Sequence, residues 1–391
     1  MARGEAMPRI RVMTIFGTRP EAVKMAPLVR ALRAAQEFET TVCVTAQHRE
    51  QLDQVLSTFD IAPDFDLNIM EARQTLTLIS TKALQLLESV LEEVKPDVVL
   101  VHGDTTTTFV ASLAAFYQQI TIGHVEAGLR TWEKYSPYPE EMNRQLTGVL
   151  ADLHFAPTQV AADNLLREGK PHHAIYVTGN TAIDAMRTTV KSDYHHPVLE
   201  RVDPSRRLIY MTAHRRENIG YKLEQIFSAV RELVETHSDL FVVYPMHLNP
   251  AVREPAQRIL GDHKRIALIE PLDVLDAHNF MARAHLILTD SGGVQEEAPF
   301  LGVPCLVLRD TTERPEGVDA GTLKLVGTDK DEIVRTADDL LRNSDSYRRM
   351  SVAASPYGDG FASDRIVQAL RHFFGRGSAP DSFVPRPKME L

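Results

Sequence analysis

Several stretches of the chain place carboxylates directly after runs of apolar and β-branched residues. Asp104 follows PDVVLV in VVLVHGDTTTT, Glu126 follows ITIGHV, and Glu140 and Glu141 stand in YSPYPEEMNR ahead of a helical pattern. Carboxylates at the ends of buried strands are suited to taking up and returning protons. Each also has a plain structural alternative: Asp104 can cap the helix that starts in the threonines, and Glu140 can complement the dipole of a first helical turn. A second set suits an anion. Thr18 and Glu21 in GTRPEAVKMAP form a T-x-x-E capping box, with Arg19 in the first turn and Lys24 just over one turn further on. In DSGGVQEEAPFLG, Asp290 or Ser291 can cap a helix whose Gly292 and Gly293 leave backbone N–H groups open to a phosphate. Glu296 and Glu297 follow, where one carboxylate can meet ligand hydroxyls. His214, Arg215 and Arg216 in TAHRREN and Arg314 in RDTTERPEG add positive charge after two other strand-like runs. Proton-transfer groups across from an anion site are the equipment for proton chemistry on a phosphorylated ligand. The competing reading is a set of well-capped helices with solvated charges. No G-x-G-x-x-G follows a strand, and G-x-x-x-x-G-K-[ST], H-E-x-x-H and G-x-S-x-G are absent, so hydride transfer, P-loop phosphoryl transfer and zincin chemistry lack support. His102, His124, His154 and His247 have no metal-ligand spacing.

The elements that must position these residues alternate. RVMTIF, TTVCVT, PDVVLV, ITIGHV, DLHFAP and AIYVTG predict strands, separated by helical patterns such as PLVRALRAAQ, QLDQVLSTF and ASLAAFYQQ. A second series begins near Arg207 with RLIYMT, LFVVYP, RIALIE, LILTD and CLVLR. Continuous apolar strands alternating with helices predict parallel sheets covered on both faces. The expected fold class is α/β, two Rossmann-like doubly wound domains with the ligand in the cleft between them, beyond the carboxyl ends of the strands. The expected organisation is an N-terminal domain over 7–185, a linker over 186–206 and a C-terminal domain over 207–357. A final helix over 358–375 follows SPYGDG and is free to pack back on the first domain, and an aperiodic tail over 376–391 is expected to be disordered.

A length of 391 residues suits two such domains. The formal charge of −10 argues against nucleic acid and anionic membrane surfaces as partners. No run approaches the roughly 18 apolar residues of a membrane span, and MARGEAMPRIRVM lacks an apolar signal core, so a cytoplasmic location is expected. Cys43 and Cys305 sit in strand-like runs and read as buried, inert thiols.

Taken together, VMTIFGTRPEAVKMAPLV, VTAQHRE, VVLVHGDTTTTF, GHVEAGLRTWEKYSPYPEEMNR, TAHRREN, VYPMHLNP, LTDSGGVQEEAP, LRDTTERPEG and SPYGDG resemble the non-hydrolysing UDP-N-acetylglucosamine 2-epimerases, from about Arg11 to about Phe374. The resemblance implies the glycosyltransferase B arrangement of the two domains and reversible epimerisation of UDP-GlcNAc to UDP-ManNAc at C2. The implied route passes through elimination of UDP, a 2-acetamidoglucal intermediate and re-addition, with no cofactor. By the same resemblance Asp104, Glu126 and Glu140 handle protons and charge at the sugar, with His214 and Lys24 also in the catalytic set. Arg19, Lys24, His214, Leu272, Ser291, Gly292, Gly293, Glu297 and Arg314 would hold the UDP part, Glu297 at the ribose and the Ser-Gly-Gly turn at phosphate. Some members are activated by a second UDP-GlcNAc, and Gln47, Glu50, Arg73, Glu140, Arg215 and His247 stand at those members' activator positions. Glu50 departs from a glutamine found there, and Ala277 departs from an aromatic near the uracil. A homodimer is the family expectation. The alternatives are a hydrolysing epimerase that releases ManNAc and UDP, a catalytically silent nucleotide-sugar binder, and a glycosyltransferase sharing the fold.

Overall fold

The computed structural model describes residues 7–45, 49–70 and 74–386. The chain forms two compact units, one running to Thr188 and resuming over Gly358–Phe383, the other spanning Thr189–Tyr357. Each is built on a parallel sheet with interleaved helices, so both are Rossmann-like.

In unit 1 the strands are β1 (Ile10–Phe16), β2 (Phe38–Val44), β3 (Phe65–Asp66), β4 (Val98–His102), β5 (Thr121–Val125), β6 (Leu153–Ala156) and β7 (Ile175–Val177), in the order β3-β2-β1-β4-β5-β6-β7. The order reverses at β1/β4, and both strands are buried almost throughout because helices cover each face. The helix Arg19–Ala34 begins as its sequence predicts: Thr18 Oγ1 accepts from the Glu21 N–H, and Glu21 Oε2 accepts from the Thr18 N–H at 2.7 Å. Glu21 does more than cap. It also accepts from Gly17 N at 3.0 Å and from the hydroxyls of Thr105 and Thr108 at 2.7 and 3.1 Å, tying the turn after β1 to the turn after β4.

After Thr188 the chain enters unit 2, whose strands are β8 (Arg207–Thr212), β9 (Leu240–Pro245), β10 (Ile266–Ile269), β11 (Leu286–Thr289), β12 (Cys305–Val307) and β13 (Leu323–Leu325), in the order β10-β9-β8-β11-β12-β13. The strands β3 and β13 are absent from the sequence reading: β3 has only two residues, and β13, Leu-Lys-Leu, lacks the continuous apolar run that marks β7 and β12. Cys43 and Cys305 are free and buried.

The final helix, Ala362–Phe373, belongs to unit 1. The buried Asp184 carboxylate accepts from the backbone N–H groups of Ala362 and Ser363 at 3.0 and 2.6 Å, satisfying donors that the helix start leaves open. The expectation of a disordered tail fails for residues 376–386. Phe383 is 5% exposed and packs with Ala156, Leu165 and Val177, and its N–H donates to the Val177 carbonyl at 2.8 Å. One aromatic between prolines carries no periodicity, yet burying it is worth about 1.5–3 kcal/mol, and the prolines lower the entropy lost on ordering.

Candidate active site

Strands β4 and β5 end side by side, and the chain turns at Gly103, whose φ of +70° favours glycine. Asp104 follows. It does not cap the next helix, because Thr105 does so, accepting from Thr108 N at 3.1 Å. Its carboxylate instead pairs with the buried guanidinium of Arg144. Arg144 also donates to Oε1 of Glu126 at 3.4 Å and to the Glu126 carbonyl, so one side chain holds both acids. Glu126 sits at φ +62°, a left-handed conformation that costs a non-glycine residue and that clusters at functional sites. Its Oε2 receives Lys24 Nζ and, at 3.1 Å, Asn180 Nδ2.

Burial alone would raise the proton affinity of Glu126, but the surrounding charges of Lys24, His102 and Arg144 outweigh it and hold the carboxyl well below its ordinary range. At neutral pH Lys24 and Arg144 carry that charge. Glu126 is therefore an ionised carboxylate that is nearly out of water, at 7% exposure. Glu140 opens the helix Glu140–Leu150, half-buried, with no side-chain hydrogen bond among the described residues. Its neighbour Glu141 is structural, accepting from Thr131 N, Trp132 N and Gln145 Nε2. Arg19 is half-buried in the first turn of its helix.

The second set gathers at the ends of β8 and β11. Asp290 is fully buried and does not cap a helix. Its Oδ2 accepts from His214 N, Arg215 N and Asn218 Nδ2 at 2.9, 2.8 and 3.0 Å, which fixes the loop TAHRREN beside the next helix start. Ser291 is the N-cap by position, but its side chain makes no cap hydrogen bond. A Cβ added at Gly292 would lie 3.3 Å from Glu313 Oε1 and 3.5 Å from Arg215 Nη2 and Arg314 Cζ, so a carboxylate and two guanidinium groups crowd this turn. A Cβ at Gly293 would meet nothing nearer than Glu297 Oε1 at 4.0 Å, so no protein atom demands glycine there.

Arg314 pairs with Glu296 at 2.9 Å. Glu297 lies 3.5 Å from Nε2 of His278, whose Nδ1 is 2.6 Å from the Thr189 hydroxyl, a chain that orients the carboxylate. Leu272 is half-buried just before the helix Val274–Arg283, which carries Ala277 and His278. The His214 ring stacks on His247 with centroids 5.3 Å apart, and burial, with His247 and Arg215 nearby, lowers its basicity. Gln47 and Arg73 lie outside the described residues, and Glu50 stands in the helix Arg49–Thr58. Among the described residues no three His, Cys, Asp or Glu side chains group to hold a metal ion.

The fold thus joins Lys24, Asp104 and Glu126 in one cluster, and His214, Ser291, Gly292, Gly293 and Arg314 in another. Sequence reasoning missed Arg144, Asn180 and His278, which help organise them, and read Asp290 only as a possible helix cap and His102 only as a histidine without metal-ligand spacing. Arg144 left a local signal, four residues after Glu140 on the same helix; the others act across long sequence separations.

Rossmann-like units that gather polar side chains beyond the carboxyl ends of their parallel strands make up a class of α/β proteins built to bind nucleotides. Within that class, a family model described as UDP-N-acetylglucosamine 2-epimerase matches residues 30–371, and the chain belongs to this family. The UDP-N-acetylglucosamine 2-epimerase of Bacillus subtilis is 61% identical over 379 residues, 97% of this chain and 100% of that one. Among solved structures, the S. aureus MnaA-UDP co-structure is 56% identical with a TM-score of 0.88, covering 96% of this chain and 100% of that one. The UDP-GlcNAc 2-epimerase from Neisseria meningitidis bound to UDP-GlcNAc is 49% identical with a TM-score of 0.84, covering 93% and 100%.

Proposed function

We propose that this chain interconverts UDP-GlcNAc and UDP-ManNAc by inversion at C2, without net hydrolysis. The observation that carries the reading is Glu126: a buried, ionised carboxylate held in a strained conformation by Lys24, Asn180 and Arg144, with Asp104 on the same arginine. A C2–H is too weakly acidic to give up its proton alone. Departure of a diphosphate makes removal feasible: as the carboxylate takes the proton, the C–H electrons form C1=C2 and the C1–O pair leaves with UDP. Re-addition reverses the electron flow, with a proton returned to the opposite face of C2, which inverts that centre. Two or more carboxylates suit this exchange, and Asp104, Glu126 and Glu140 supply them, Lys24 completing the cluster.

In unit 2 the N–H groups of Gly292 and Gly293 at the helix start after Ser291, with His214 and Arg314 beside them, suit a diphosphate. We also assign Arg19 to the UDP part. Glu297, oriented by His278, suits the ribose hydroxyls, and Leu272 the base, where Ala277 leaves space. The solved relatives that carry UDP and UDP-GlcNAc support the ligand class. A second UDP-GlcNAc would act as activator through Gln47, Glu50, Arg73, Glu140, Arg215 and His247, and the stacking of His247 on His214 gives it a direct physical route to a substrate-binding ring. We place the enzyme in the cytoplasm as a homodimer; among the described residues no helix is long and apolar enough to cross a membrane.

The test is incubation with UDP-GlcNAc in heavy water followed by NMR. The expected product is UDP-ManNAc carrying deuterium at C2. Free ManNAc as the main product would replace this reading with the hydrolysing one, and recovery of only unlabelled substrate would overturn both.

A further inference from the structure

His102 is the last residue of β4, one position before the Gly103 turn, and its side chain is 4% exposed. Both ring nitrogens are buried without a hydrogen-bond partner among the described residues. Native structures seldom seal off polar atoms in this way without a reason. The charged and titratable groups facing the ring are Glu126 from the turn after β5, Lys24 from the first helix, Arg144 from the helix Glu140–Leu150 and Asp104 from its own turn. Its Nε2 lies 3.8 Å from Oε2 of Glu126, the oxygen that Lys24 and Asn180 also address. The backbone beneath the ring is pinned, since the His102 carbonyl accepts from the Thr108 hydroxyl, which also reaches Glu21.

We propose that His102 is a positioning residue for Glu126, a neutral imidazole whose Nε2–H closes onto Oε2 and holds the carboxylate in its reactive orientation during proton transfer. The inference rests on the reading that Glu126 exchanges a proton with the sugar. Glu126 already carries Lys24 and Arg144, and a third cation would weaken it further as a base. A donor without charge adds orientation at a smaller cost in basicity than a third cation would. Burial supplies that donor, pushing His102 down to about 4 with Lys24 and Arg144 assisting and Glu126 opposing. Closing the 3.8 Å between Nε2 and Oε2 to hydrogen-bonding distance takes only a small side-chain rotation.

The experiment compares His102→Phe, His102→Gln and Glu126→Gln. In His102→Phe, kcat should fall about 10–100-fold with KM changed less than about threefold, as expected when a reacting group loses its alignment. The acid limb of the kcat profile should move to higher pH, since losing a donor raises a carboxyl pKa. His102→Gln keeps a neutral N–H donor and should recover most of kcat and the original limb. Wild-type kcat and limb in His102→Phe would overturn the proposal. Should the Phe variant fail to fold, ¹⁵N-histidine NMR of the wild type, assigned with His102→Gln, decides: a neutral Nε2–H ring at pH 7 is expected, and an imidazolium or an Nδ1–H ring overturns it. Undiminished turnover in Glu126→Gln removes the underlying reading and this one together. An inactive Glu126→Gln beside an unaffected His102→Phe removes only the role of His102.

Discussion

At the scale of single residues, the candidate site is an arrangement of charge around two acids that share one arginine. Arg144 reaches Asp104 and Glu126, and removing either acid leaves its guanidinium buried with one partner fewer. Asp104 differs from Glu126 in being partly open to solvent, with 30% of its side chain exposed against 6%. It can therefore meet the sugar without being sealed from water. Asp104→Asn keeps the shape and removes the charge, so turnover should fall by at least about 100-fold, the usual worth of a proton-handling group. UDP affinity, measured by calorimetry, should stay near the wild-type value, because the turn proposed to bind the diphosphate lies in unit 2. Unchanged turnover would take Asp104 out of the chemistry. The acids and the Ser-Gly-Gly turn were visible in sequence because residue type and strand-end position mark them. The tasks of Arg144, Asn180, His102, Asp290 and His278 were not legible, although Asp290 stood out as a possible cap, because what they do depends on partners 18 to 89 residues away.

At the scale of elements, caps and turns aim the site. Thr105 takes the capping task that Asp104 would otherwise perform, and Glu21 binds the turn after β1 to the turn after β4. The capping box was legible because both of its partners lie within one helical turn. The C-terminal segment was not. A single phenylalanine in SAPDSFVPRP finds its pocket only after β6, β7 and the helix Gln159–Arg167 are assembled. Phe383→Ala should destabilise unit 1 by about 2–4 kcal/mol, near the lower part of the range for buried Phe truncations because the site is close to the surface. The chain's single tryptophan, Trp132, lies in unit 1 and reports its urea midpoint by fluorescence. A disordered tail would leave that midpoint unchanged.

At the scale of the whole molecule, the two units carry different acid sensitivities. Among the described residues, unit 1 buries three histidines on neighbouring strands. His102 and His154 are pushed down to about 4 and His124 well below its ordinary value, chiefly by burial, with Nε2–H of His124 donating to the Gly103 carbonyl at 2.7 Å. Their folded-state basicity lies below the unfolded value of 6.5, so the unfolded chain binds more protons as the pH drops. Stability is thus full above about pH 6.5 and is lost as the pH falls toward 4, by up to roughly 1.4 kcal/mol per histidine per pH unit. Burial pushes the carboxyls of Glu21 and Asp184 up, which opposes the trend over part of that window, but the histidines outnumber them. In unit 2 His285 alone falls as far, to about 4. Between pH 7 and pH 5 the thermal midpoint followed at Trp132 should therefore drop more than that of unit 2. Equal shifts would remove the buried histidines as the cause.

The sequence by itself determined the fold class, because runs such as VVLV and LILT can only be central strands of covered parallel sheets. It also located the carboxylates and the glycine turn, because strand ends and helix starts are written locally in apolar runs, threonines and glycines. Only the tertiary structure decided what Asp104 does. Whether it caps a helix, faces solvent or pairs with a buried cation depends on Thr105, Arg144 and Glu126 meeting across two turns. The same holds for the charge state of Glu126 and of the histidine beside it, because proton affinity is set by burial and by neighbouring charges that folding alone brings within a few ångströms.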